Sequence, residues 1–187
     1  MKTYVVCEGL NDVQLLKRIL PSELTKNVEI VAGGGLYALK SLALSLIVRR
    51  QSPVVIVIDS DSDIVERVQQ QVQDTEELLS SLAVHTPVKV IPAIPALEIV
   101  LFKDIALLTR LLGYMPNPDL LSQAIDQPKQ VLDQLISQSQ NLKDQAQLLD
   151  NLTEQDVEIL RETTVIQELI RFLKSVQVAD EVLQQSL

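Results

Sequence analysis

At 187 residues the chain has room for one compact domain with an appendage, and no apolar run in it is long enough to span a bilayer. A composition of 47% hydrophobic and 22% charged residues excludes general disorder and implies a sizeable core. Sixteen Lys and Arg stand against 25 Asp and Glu, a net charge of −9, so the surface as a whole repels nucleic acid and a polyanionic substrate would need local help.

The first hundred residues alternate short β-branched runs with helical patterns, as βαβ units around a mainly parallel sheet do. Strands are predicted from Tyr4 to Cys7, Val28 to Val31, Val54 to Ile58 and Val88 to Ile91, each nearly all apolar, as strands covered on both faces must be. Between them Val13, Leu16, Ile19 and Leu20 recur at helical spacing, as do Leu36, Leu39, Leu42, Ala43 and Leu46, and the stretch from Ile64 to Leu82 supplies a third helix. The opening residues read as a strand rather than a signal peptide, and the lone Cys7 forbids an internal disulfide, so the cytoplasm is the expected compartment.

From about Lys103 the β pattern stops and the sequence becomes leucine- and glutamine-rich with helical periodicity. Breaks at Gly113 to Pro118, Gln127–Pro128 and Asn151 to Thr153 predict four or five helices, with Thr153 and Asp156 spaced as an N-cap. The division is therefore an α/β region, residues 1–102, and an all-helical region, residues 103–187, which offers a surface for a protein partner.

Acidic residues follow three of the four strands, where open parallel sheets put their functional groups. Strand one runs into Glu8-Gly9-Leu10-Asn11-Asp12, strand three into Asp59-Ser60-Asp61-Ser62-Asp63, and strand four leads through Pro92 and Pro95 to Glu98. With neighbouring strands about 4.8 Å apart, Glu8 and Asp59 come within reach of a common cation. Clustered carboxylates raise one another's pKa, and a hard divalent ion, Mg²⁺ or Mn²⁺, relieves that repulsion. Gly9 leaves room for a backbone or phosphate to approach, and Asp12 lies one helical turn beyond Glu8. The competing explanations are acids at helix N-termini for Glu8, Asp12 and Asp59 to Asp63, a helix start after Pro95 for Glu98, and a plain strand-to-helix turn for Gly33 to Gly35. His85, the sole histidine, is expected on the surface, and Cys7 as a buried hydrophobe.

The order strand, Glu-Gly-x-x-Asp, helix, strand, glycine-rich turn, helix, strand, Asp-x-Asp resembles the Toprim domain of topoisomerases, bacterial primases and related nucleases, over about residues 1–102. The Gly33-Gly34-Gly35 turn and the segment Pro95 to Phe102 are most similar to the Toprim part of OLD-type (overcoming lysogenisation defect) nucleases. The resemblance implies a Toprim-like, Rossmann-like four-stranded sheet and a metal-dependent nuclease acting on DNA or RNA. It implies catalytic roles for Glu8, Asp59 and Asp61, and metal contacts from these with Asp12, Asp63 and Glu98. Gly9, Gly34 and Lys40 would meet substrate, with Lys89 a second available cation. The rival is an inactive or regulatory Toprim-like module that docks a partner through its helical half. An Asp-x-Asp phosphatase is disfavoured because that motif should follow the first strand, and a receiver-like domain because it expects a lone aspartate. No ATPase motif accompanies the pattern, and no tyrosine is placed as a topoisomerase nucleophile would be.

Charge is uneven. Residues 1–103 hold 10 basic and 12 acidic residues, and 104–187 hold 6 and 13. With the six candidate ligands neutralised by a cation, the first region would be locally cationic, so nucleic-acid binding is expected to be feasible but weak alone. At 3% aromatic content and no tryptophan, the chain has few platforms for base stacking.

Overall fold

Four aliphatic strands, β1 (Thr3–Cys7), β2 (Val28–Ala32), β3 (Val54–Asp59) and β4 (Val88–Ala93), pair in parallel in the order β2-β1-β3-β4. The computed structural model describes residues 2–83 and 85–185, with side chains through 182. The register sets Val5 opposite Ile30 and Val55, and Val57 opposite Ile91. All four carboxyl ends therefore meet one edge, where strand pairing with Ala93 fixes the Asp59 backbone and Glu8 follows directly on the last paired residue of β1.

Period-two alternation sorts the strand side chains onto two faces. Tyr4, Val6, Val54, Ile56 and Ile58 pack under α3 (Leu36–Arg50) and α4 (Val65–Ser80), against Leu39, Ala43, Ile47 and Leu79. Val5, Cys7, Val55, Val57, Ile91 and Ala93 face the other way, onto α1 (Leu10–Ile19) and the helical region. That second cluster continues without interruption through Leu108, Leu132, Leu148, Leu160 and Leu169. The change of pattern near residue 103 is thus not a break in packing: the helices that follow pack onto β4 and α1 and continue the same core.

Each predicted strand is present, one or two residues longer at its ends. The short α2 (Ser22–Thr25) has no periodicity to announce it, being a single turn after Pro21. A 3₁₀ helix covers Leu97–Phe102, and six α-helices follow rather than four or five: α5 (Ile105–Leu112), α6 (Pro118–Gln123), α7 (Pro128–Gln138), α8 (Gln145–Asp150), α9 (Glu154–Arg161) and α10 (Thr164–Gln185). Two breaks are overlooked in the sequence, a short one at Glu162 and Thr163 between α9 and α10 and a longer one between α7 and α8. No Gly or Pro marks the longer one; the Ser139 hydroxyl donates to the Leu112 carbonyl and accepts the amides of Asn141 and Leu142, and Asp144 caps α8. Thr153 and Asp156 form the expected capping box, and Asp156 also pairs with Arg110 at 2.5 Å. These contacts hold the Asp156 carboxyl below its ordinary pKa against the upward push of its burial.

Side chains stitch the helical region to α1. Arg161 Nε donates to the Ile19 carbonyl at 2.6 Å, and Arg18 reaches the carbonyls of Leu149 and Leu152 and the carboxylate of Glu154. Among the described residues no helix is long and apolar enough to cross a membrane.

Candidate functional site

Gly9 is the N-cap of α1 in an extended conformation, and its amide donates to Asp12 Oδ2 at 2.8 Å. Asp12 thereby closes the first turn of its own helix. Neither backbone conformation nor space requires glycine at position 9: a Cβ there would meet only Asp12 Oδ2, at an ordinary 3.6 Å. The glycine-rich turn is different. An added Cβ on Gly33 would lie 2.4 Å from the Leu39 Cα, and Gly34 and Gly35 have φ of +85° and +105°. The amides of Gly34 and Gly35 both donate to the Glu8 carbonyl, at 2.9 and 3.3 Å. The turn's work is to fix the Glu8 backbone, and the Gly34 amide is not free for a phosphate.

Asp59, at the end of β3, is buried. Its Oδ1 accepts the Leu97 amide at 3.0 Å, opening the 3₁₀ helix, and its Oδ2 accepts from Lys129 Nζ at 3.2 Å. The following loop is tied to the segment after β4 by Ser60 N–H to the Ala93 carbonyl and Asp61 N–H to the Pro95 carbonyl, each 3.0 Å. Asp61 is exposed, with a φ of +50° that aspartate tolerates better than most residues. Glu98 lies inside the first turn of the 3₁₀ helix, 2% exposed, with Lys129 Nζ 3.8 Å from its Oε1.

Lys129 was not singled out in the sequence. It sits in the first turn of α7 beside Pro128, where a cation opposes the helix dipole, and that misfit is the one local sign that it needs acidic neighbours. Lys40, on α3, forms no ion pair among the described residues, while Lys89 is paired with Glu76 at 3.2 Å on the outer side of β4. Asp63 is exposed and lines the groove beside β4. His85 is exposed and Cys7 buried, as expected.

Burial dominates the electrostatics. It raises the carboxyl pKa of Glu8, Asp12 and Asp59, with the Asp59 charge adding to Glu8 and the Asp12 charge adding to Asp59. Glu98 is pushed up to about 7, chiefly by desolvation, although Lys129 opposes the rise. Lys129 itself is partly desolvated, yet Glu98 and Asp59 outweigh that and hold it more firmly cationic than a free lysine. Three carboxylate oxygens are buried without a hydrogen-bond partner: Glu8 Oε1 and both oxygens of Glu98. Among the described residues no three His, Cys, Asp or Glu side chains are set close enough to enclose a metal ion as they stand. The acids are gathered at one edge, and an ammonium lies between two of them.

No protein-family model matches the sequence, and no curated protein matches it. The structure matches that of the C-terminal region of the OLD protein of Xanthomonas campestris pv. campestris, with a TM-score of 0.56 and 16% identity over 96% of this chain and 97% of that one. The chain shares the fold of that region along nearly its whole length, including the helices after residue 102.

Proposed function

We propose that the chain is a divalent-cation-dependent nuclease of the Toprim type, hydrolysing phosphodiester bonds of DNA or RNA. The observation that carries this is the set of donorless buried oxygens on Glu8 and Glu98 beside Asp59. A buried carboxylate oxygen without a donor is costly, and an oxygen-only donor set selects a hard cation such as Mg²⁺ or Mn²⁺. The motif resemblance to OLD-type nucleases and the fold shared with an OLD protein's C-terminal region agree with it.

Glu8, Asp59 and Asp61 would hold the cation, with Asp12, Glu98 and Asp63 as further acids at the same edge. A bound divalent cation supplies Lewis-acid stabilisation of phosphoryl charge and acidifies water. The chain's own residues do the rest. Lys129, kept charged by Asp59 and Glu98, offers a fixed positive charge for the negative charge that develops on the phosphoryl oxygens. Glu8, its pKa raised by burial, can take up or release a proton nearer to neutral pH than an exposed carboxyl.

A second reading has its own observation. Lys129 already neutralises part of the acid group, and no enclosed three-acid cluster stands among the described residues, as suits a regulatory module without catalysis.

Incubation of supercoiled DNA and of structured RNA with Mg²⁺ or Mn²⁺ separates the two. A nuclease nicks or cuts only with added metal, loses activity in Glu8→Gln and Asp59→Asn, and drops by about 10²–10³-fold in Lys129→Ala. Cys7→Ser and His85→Ala stay near wild type. Failure to cleave either substrate with any metal, even where Mg²⁺ binding raises the melting temperature, leaves the regulatory reading.

A further inference from the structure

Beside the acid group, on the β4 side of the sheet, runs a groove of about 590 Å³ between β4, α4 and α10. Its floor is aliphatic, from Val65, Val68, Val72, Val90, Pro92 and Ile94, and Val65 and Ile94 are 60% and 46% exposed. A second cavity of about 330 Å³ shares Pro92, Ile94 and Glu168 with it, so the apolar track is longer than either cavity alone. The rim is acidic, carrying Asp63, Glu76, Glu77 and Glu168, and Lys89, the one cation in the lining, is paired with Glu76.

β4 is an edge strand, which raises strand addition as a way to fill this track. The backbone argues against it. In a parallel strand the N–H and C=O of one residue point to the same side, and alternate residues point to opposite sides. The Ala93 carbonyl accepts from Ser60 on the β3 side, so the backbone groups of Lys89, Ile91 and Ala93 point toward β3 while those of Val88, Val90 and Pro92 point to the open edge. The Val90 amide already donates to Glu76 Oε1 at 3.2 Å, and Pro92 has no N–H. An incoming strand would find acceptors and almost no donors.

We propose that this groove docks an amphipathic helix of a partner protein, whose aliphatic face fills the valine-lined floor and whose flanking Lys and Arg meet the four rim acids. Charge complementarity selects this occupant. A nucleic-acid strand would set phosphates against Asp63, Glu76, Glu77 and Glu168, and a second copy of this chain, itself at −9, would bring more acids to acids. The groove begins at Asp63, two residues from Asp61, so a basic helix seated there would deliver cations beside the candidate site of a chain poor in them. The docking itself does not depend on the nuclease reading.

The probe is a fluorescein-labelled synthetic helix of about 18 residues with leucines along one face and lysines beside them, titrated against the full chain by anisotropy. Saturable binding is expected, weakened at least about tenfold by Val65→Asp and by Glu77→Lys/Glu168→Lys. All three side chains reach solvent, so the variants should keep the wild-type melting temperature. Asp126→Lys/Asp133→Lys, an equal change of charge on α7 and the turn before it, should leave binding within about twofold, and a peptide with Ala replacing Leu should bind at least about tenfold more weakly. Equal binding of the Ala peptide, equal weakening by Asp126→Lys/Asp133→Lys, or no binding of the Leu/Lys helix overturns the proposal.

Discussion

Glu98 is the clearest case of one side chain working against the stability of the fold. Its carboxyl is 2% exposed, has no donor on either oxygen, and has a pKa raised from an ordinary 4.5 to about 7 by desolvation. A carboxyl that binds its proton more tightly folded than unfolded stabilises the fold fully below the unfolded pKa. That contribution is lost as pH climbs through the folded value, here between about 4.5 and 7. The loss is on the order of 3 kcal/mol. In EDTA, Glu98→Gln should flatten the pH dependence of the urea midpoint across that window and raise stability at pH 8; an unchanged slope would mean that Glu98 ionises freely. Cys7 follows the same logic. Burial, helped by Asp12, Asp59 and Glu8, pushes its thiol up to about 12, so a thiol reagent at pH 8 should modify it only after denaturation. Rapid labelling of the native protein would contradict that.

Short elements show where local sequence suffices and where it does not. The four strands are legible because burial on both faces leaves unbroken aliphatic runs, and the acids that end β1 and β3 are legible because a charge directly after such a run stands out. Asp12 is legible as an acid near the site, but its capping of Gly9 shows only in three dimensions. Lys129 is not legible as a site residue, because it is 70 positions from Asp59 and the packing of α7 on the 3₁₀ helix alone brings them together. The three glycines look alike in sequence, yet the structure ranks them. Gly33→Ala drives a Cβ into the Leu39 backbone and should cost about 2–4 kcal/mol. Gly34→Ala and Gly35→Ala meet open space, and their cost is backbone strain of about 1–2 kcal/mol each. Urea midpoints of the three variants test the order, and Gly33→Ala as the mildest would refute the close approach of α3.

At the scale of the whole molecule, the sequence suggests two regions but the packing does not separate them. Val5, Cys7, Val55, Val57, Ile91 and Ala93 present one face of the sheet to the cluster shared with α5, α7, α8, α9 and α10. A fragment of residues 1–102 would uncover β4 where α10 packs, α1 where α8 and α9 pack and the 3₁₀ helix where α7 packs, and would lose the bonds of Arg161 to Ile19 and of Arg18 to Leu149, Leu152 and Glu154. Each buried Val, Ile or Leu so exposed forfeits about 1.5–3 kcal/mol, so the loss of four of them comes to about 6–12 kcal/mol, on the scale of the 5–15 kcal/mol that holds a typical domain together. The fragment should therefore be aggregated or molten, with dye-binding apolar surface and no cooperative transition, while the full chain unfolds in a single transition seen alike by near- and far-UV circular dichroism. A soluble fragment with its own sharp melt would show that the sheet stands without the helices. It would still lack Lys129, so the acid group of Glu8, Asp59 and Glu98 would be left without its ammonium at the same time as it lost the covering of α7, whose burial of these carboxyls is the larger cause of their raised pKa.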